Sequence, residues 1–153
     1  MAIKVVARNR KARFDYFLND IYEAGIVLTG SEIKSIRAGQ ISIAEAYVQI
    51  FDGEVWLIDA HIAPYDQASI FNHEPRRRRK LLLNRIEIRK LWNETRRKGT
   101  TIIPTRVFLK DGWAKVEIAT ATGKKKYDKR KSIAQRDMER EIQRQAINQD
   151  DRT

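Results

Sequence analysis

The sequence has no cysteine, only two histidines and only three prolines among its 153 residues. Without cysteine there is no disulfide framework, no thiolate zinc site and no thiol nucleophile, and the composition suits a reducing compartment. No apolar run approaches the roughly 18 residues of a membrane-spanning helix, and the opening MAIKVVARNR lacks the long apolar segment of a secretory signal. The chain therefore reads as soluble and cytoplasmic, with no membrane partner. Acids are also scarce: 20 Asp and Glu face 31 Lys and Arg, a formal charge of +11. Such a field favours an extended polyanion as partner. The 42% hydrophobic content suffices for a single core.

Catalytic signatures are missing as well. His61 beside Asp59 and His73 beside Glu74 match no metal-ligand spacing, and His61 falls in a strand pattern where a structural histidine is expected. Neither a glycine-rich phosphate loop nor a GxSxG elbow occurs. The reading is of a protein that is not an enzyme and needs no cofactor or metal.

What is present alternates. Phe14 to Leu28 suits an extended ribbon with a bulge or turn at Asn19-Asp20. In TGSEIKSIRAG, Thr29 and Glu32 have capping-box spacing and Gly39 can close the far end, which predicts a helix of about two turns. AYVQIFDGEVWLIDAHI and TIIPTRVFLKDGWAKVEIATA alternate around Asp52-Gly53 and Asp111-Gly112, dipeptides that accept the positive φ of tight hairpins. Between them Asn84 and Glu87 cap a helix carrying Ile88, Leu91, Trp92 and Thr95 on one stripe. Pro104 belongs at an edge or bulge, having no N–H to give a ladder. Five or six antiparallel strands hide their edges best by closing, so the expectation is a mainly β protein, a small closed antiparallel barrel with flanking helices. It spans residues 1–122. Residues 123–153 form a tail with a thin Ala134, Met138, Ile142, Ala146 stripe, expected to be disordered when free and helical when bound.

Cations gather in the arm from Lys4 to Arg13, in RRRRK from Arg76 to Lys80, in Arg96 to Lys98 and in GKKKYDKRK from Gly123 to Lys131. The arm contains no acid from residue 4 to 13 and is expected to order only on contact. Four clusters together point to phosphate neutralisation with a steep salt dependence. Phosphate contacts alone select no target. Trp56, Trp92 and Trp113 are expected in the core, whereas Tyr127, set among cations, is better suited to stacking on a base.

Taken in order, YEAGIVLTGSEIKSIRAG (Tyr22 to Gly39), FNHEPRRRRKLLLNRIEI (Phe71 to Ile88) and GKKKYDKR (Gly123 to Arg130) closely resemble the SsrA-binding protein family, SmpB. The resemblance runs from about Arg8 to Met138. It implies an OB-like barrel of about six strands and binding to transfer-messenger RNA (tmRNA), which rescues bacterial ribosomes stalled on messages without a stop codon. In this trans-translation the protein escorts the RNA, with EF-Tu and GTP, into the A site of the 70S ribosome, acting as a monomer and making no peptide bond. Glu23, Leu82 and Asn84 resemble the family's tmRNA-facing residues, with Lys34, Arg37, Arg76, Arg79 and Lys80 adding phosphate contacts. On residue physics alone, Leu82 better suits a core, Asn84 a helix cap and Glu23 a strand edge. In the tail the resemblance implies that Lys124, Lys125, Lys129 and Arg130 meet 16S rRNA phosphates of the small subunit's decoding centre, that Tyr127 stacks there, that Asp128 orients Arg130 or caps a helix, and that Met138 and Ile142 follow the empty mRNA channel. Relatives can carry His where this chain has Tyr127, which keeps a stacking ring without a protonatable group. A rival expectation, a basic structural component that stays on the ribosome, shares the charge pattern but not these motifs.

Overall fold

The computed structural model describes residues 3–65 and 72–124, together with Arg140. The chain divides into two units, Met1–Gly123 and Lys124–Thr153. In the first, six antiparallel strands close a ring: β8 (Thr100–Lys110), β4 (Tyr47–Phe51), β5 (Glu54–Ile58), β7 (Arg79–Leu82), β2 (Tyr16–Ile26) and β9 (Trp113–Gly123), which returns to β8. A seventh strand, β1 (Ile3–Arg8), pairs with β8. β3 (Ile41–Ser42) and β6 (His61–Ile62) make a separate two-stranded sheet.

The hairpins form where Asp-Gly allows. Asp52 and Gly53 take φ 53° and 74°, Asp111 and Gly112 take 52° and 83°, and both residues of each pair thus occupy the left-handed region that a two-residue hairpin demands. The bulge in β2 falls between Leu18 and Ile21, and β8 shifts register between Pro104 and Arg106, where the missing N–H costs no ladder bond. The ring has narrow seams: β4 meets β8 through Val48 opposite Ile102, and β2 meets β7 through Gly25 opposite Leu82 and Ile26 opposite Leu81.

Alternation sends Val55 and Leu57, Val116 and Ile118, and Leu81 inward, where they are buried with Val48, Ile102 and Val107. Helix α2 (Gly30–Arg37) adds Ile36 and α3 (Arg85–Thr95) adds Leu91 to the same core. Each such side chain contributes about 1.5–3 kcal/mol by leaving water.

Two expectations fail. The N-terminal arm is not an unstructured cationic leader: it forms β1 and the short helix α1 (Arg10–Asp15). Its partner is the open edge of β8, and buried Asn9 fastens it, donating from Nδ2 to Ile43 O (3.2 Å) and Pro104 O (3.1 Å) while Oδ1 accepts from Ala12 N (3.1 Å). The tryptophans are not core residues either. Trp113 is 74% and Trp92 49% exposed, and Trp56 is half-buried under the Arg78 guanidinium, 5.1 Å from the ring centroid. Parity explains Trp113, because Val116 and Ile118 face inward and an odd-numbered neighbour on that strand faces out. On α3, Leu91 takes the core position and turns Trp92 aside.

Candidate nucleic-acid interface

Strand register builds the outer face. Because Ala24 and Leu81 are buried, Glu23, Gly25 and Leu82 project outward from β2 and β7. Leu82 is 51% exposed, so it is not core. It lies over Gly25, where an added Cβ would stand 3.3 Å from Leu82 Cβ and 3.6 Å from its Cδ1. A side chain at 25 would therefore push against this leucine. Beyond it, exposed Asn84 is the N-cap of α3: Oδ1 accepts from Glu87 N (2.9 Å), and Glu87 Oε1 accepts from Asn84 N (3.4 Å). Glu23 stands opposite Glu117 of β9, and Lys110 Nζ approaches its carboxylate at 3.7 Å.

The second group of residues hangs on a buried carboxylate. Glu32, inside α2, accepts from Thr29 N (2.9 Å) and from the guanidinium groups of Arg77 and Arg79. Burial pushes its carboxyl up, but the bonds from Arg77, Thr29 and Arg79 outweigh that and hold it below the ordinary carboxylate value. Arg79 is fully buried, and burial lowers its pKa against the opposing pull of Glu32. It also donates to Ala60 O (2.9 Å), Arg77 O (3.0 Å) and Pro75 O (3.0 Å). The expected phosphate contact at Arg79 is thus corrected: its donors are spent inside the protein, where they fix α2 and the segment before β7.

Lys34 and Arg37 point outward from α2, Lys34 with its ammonium 5.5 Å from the centre of the Tyr65 ring. Arg76 is exposed, 4.0 Å from Glu45, and Lys80 pairs with Glu54 at 3.1 Å. These exposed pairs are weak and open to competition from phosphate. His73 is structural, its ring nitrogens lying 2.8 Å from Ser31 Oγ and 2.9 Å from Ile62 O. Among the described residues no group of three or more His, Asp or Glu is arranged for a metal. Lys124 is described; Lys125, Tyr127, Asp128, Lys129, Arg130, Met138 and Ile142 lie outside the described residues.

Sequence reasoning missed Gly25 as the floor beneath Leu82, and Glu32 as more than a cap. The period-2 pattern of RKLL carried part of the signal, because it puts Arg79 on the same face as Leu81.

Compared with known proteins, residues 6–148 match the family model described as SmpB protein. The chain belongs to the SmpB family. An SsrA-binding protein of Desulforudis audaxviator (strain MP104C) is 54% identical over 143 residues, covering 94% of each chain. Another, from Roseiflexus sp. (strain RS-1), is 58% identical over 142 residues, 92% of this chain and 90% of the relative. Among solved structures, a chain of "tmRNA-SmpB: a journey to the center of the bacterial ribosome" superposes with a TM-score of 0.66 at 43% identity, covering 78% of this chain and 84% of that one. The ring of strands and its short helices are thus the SmpB architecture.

Proposed function

We propose that this chain is a tmRNA-binding factor of trans-translation, which delivers the tRNA-like part of tmRNA to the A site of stalled ribosomes. The observation that carries the reading is the SmpB match over residues 6–148, joined to a side chain, Leu82, that the fold holds exposed over a glycine. An exposed leucine on a rigid face can pack against an unstacked base, while Glu23 and the free amide of Asn84 hydrogen-bond base edges or 2′-hydroxyls. Lys34, Arg37, Arg76 and Lys80 neutralise phosphates and set the RNA's orientation. Arg79 acts from inside as a positioning residue.

The protein works by binding and not by chemistry, as a cytoplasmic monomer, with EF-Tu and GTP engaged through the tmRNA complex. The first unit, about residues 1–122, supplies the RNA face. From residue 123 onward the tail meets the small subunit: Lys124, Lys125, Lys129 and Arg130 on 16S rRNA phosphates, Tyr127 stacked on a base with Asp128 orienting Arg130, and Met138 and Ile142 along the vacant mRNA channel. Sequencing the RNA that co-purifies with the tagged protein at elevated salt tests the reading. Enrichment of tmRNA over bulk tRNA is expected, with substoichiometric recovery of ribosomes. Stoichiometric ribosome association without tmRNA enrichment would make it a static ribosomal component instead.

A further inference from the structure

The outer face does not end at Glu23. The ladders place Glu23 (β2) opposite Glu117 (β9), Glu117 opposite Arg106 (β8) and Arg106 opposite Arg8 (β1), one side-chain row across four strands. At about 4.8 Å per strand the row covers roughly 14 Å along the sheet. It is acidic at one end and cationic at the other, and the cationic end opens into a cleft of about 280 Å³ bordered by Arg8, Arg10, Arg13 and Arg106, with the carboxylate of Glu117 also on its wall.

Like charges directly opposite on neighbouring strands are destabilising. The Arg106–Glu117 pair takes one member of each like-charge contact, and Lys110 approaches Glu23, which leaves Arg8 as the end of the row with no counter-charge. Glu117 is taken by Arg106, at 3.2 Å from Nε, and by the Thr105 hydroxyl, at 2.6 Å. Arg106 is further fixed over the Phe108 ring, 4.8 Å from its centroid. Neither Arg8 nor Arg10 has a side-chain partner among the described residues. Both are exposed, and the buried Asn9 between them fixes the backbone that carries them, so their guanidinium groups start from anchored positions on the cleft's rim. Excess positive charge, unengaged guanidinium forks and an open cleft suit a phosphate contact.

We infer that the cleft of Arg8, Arg10, Arg13 and Arg106 grips backbone phosphate of the same RNA that Glu23 and Leu82 contact, extending that face from β7 across to β1. This rests on the proposed tmRNA reading and gives the supposed leader a role as a phosphate clamp.

The test is the salt dependence of tmRNA affinity for the full-length Arg8→Gln/Arg10→Gln variant. Each lost phosphate contact should flatten the log–log slope by about 0.7–0.9, so that the variant's deficit shrinks roughly threefold per contact between about 50 and 200 mM salt. Arg8→Lys/Arg10→Lys should restore most of the slope. Leu82→Ala, by contrast, should weaken binding by a similar factor at every salt concentration. A Gln variant with native melting behaviour and an unchanged slope overturns the inference, as does a slope change seen only with the vacant small subunit. A wild-type protein that does not prefer tmRNA to tRNA removes the underlying reading, and the clamp with it.

Discussion

Glu32 is the residue on which most of the candidate site leans, because one carboxylate serves Thr29, Arg77 and Arg79. Removing one member of a buried ion cluster leaves the others uncompensated, which typically costs about 3–5 kcal/mol. Glu32→Gln should therefore lower the free energy of unfolding in urea by about that amount and weaken tmRNA binding through α2. The pH dependence has a definite sign. The folded-state pKa is depressed, so the stabilisation is complete above the ordinary glutamate value of about 4.3 and is lost as pH falls through the folded value. Wild-type melting temperature should drop more steeply than that of Glu32→Gln below about pH 4. At this scale the sequence was half legible. Asn84 and Glu32 announce themselves as helix-start residues by spacing, but the fate of Arg79 is hidden, since a cation within RRRRK looks solvated until its strand partner and parity are known.

Elements whose signals are local were readable, and those whose partners are distant were not. Both Asp-Gly hairpins and both capped helices follow from residues within four of one another. The N-terminal arm could not be placed that way, because β1 pairs with β8 about a hundred positions later and the cationic side chains mask an inward Val6 and Ala7. Asn9 is what converts that distant pairing into a fixed joint. Asn9→Ala should leave Ile43 O and Pro104 O without their donor and lower stability by about 2–4 kcal/mol in chemical denaturation. Hydrogen exchange should show the loss concentrated in β1 and α1. A uniform loss across the ring would mean that the arm and the ring unfold as one unit.

For the whole molecule, closure of the sheet was legible in the number of strands and their need to hide edges, whereas the exposed tryptophans were not, because hydrophobicity says nothing about the phase of a strand. The division at Gly123 gives a direct experiment. A chain ended after Gly123 should bind tmRNA within about threefold of the full-length protein while peptide tagging on stalled ribosomes falls to background. Retained tagging would reduce the tail to a solubilising extension. The bulk of the +11 charge is carried by the ring and arm, so most of the electrostatic attraction should survive the cut.

The ring is fastened between β4 and β8 by a single residue pair, Val48 with Ile102. A bracelet with so slight a clasp, and a second short one between β2 and β7, should open at these two seams before it opens along the long ladders. The opposite side, where β9 joins β2 and β8 along long ladders, stays stiff. The recognition face straddles this divide, with Glu23 on the long ladders and Leu82 beside the short β2–β7 seam, so one edge of the face is fixed while the other can adjust to a large ribonucleoprotein.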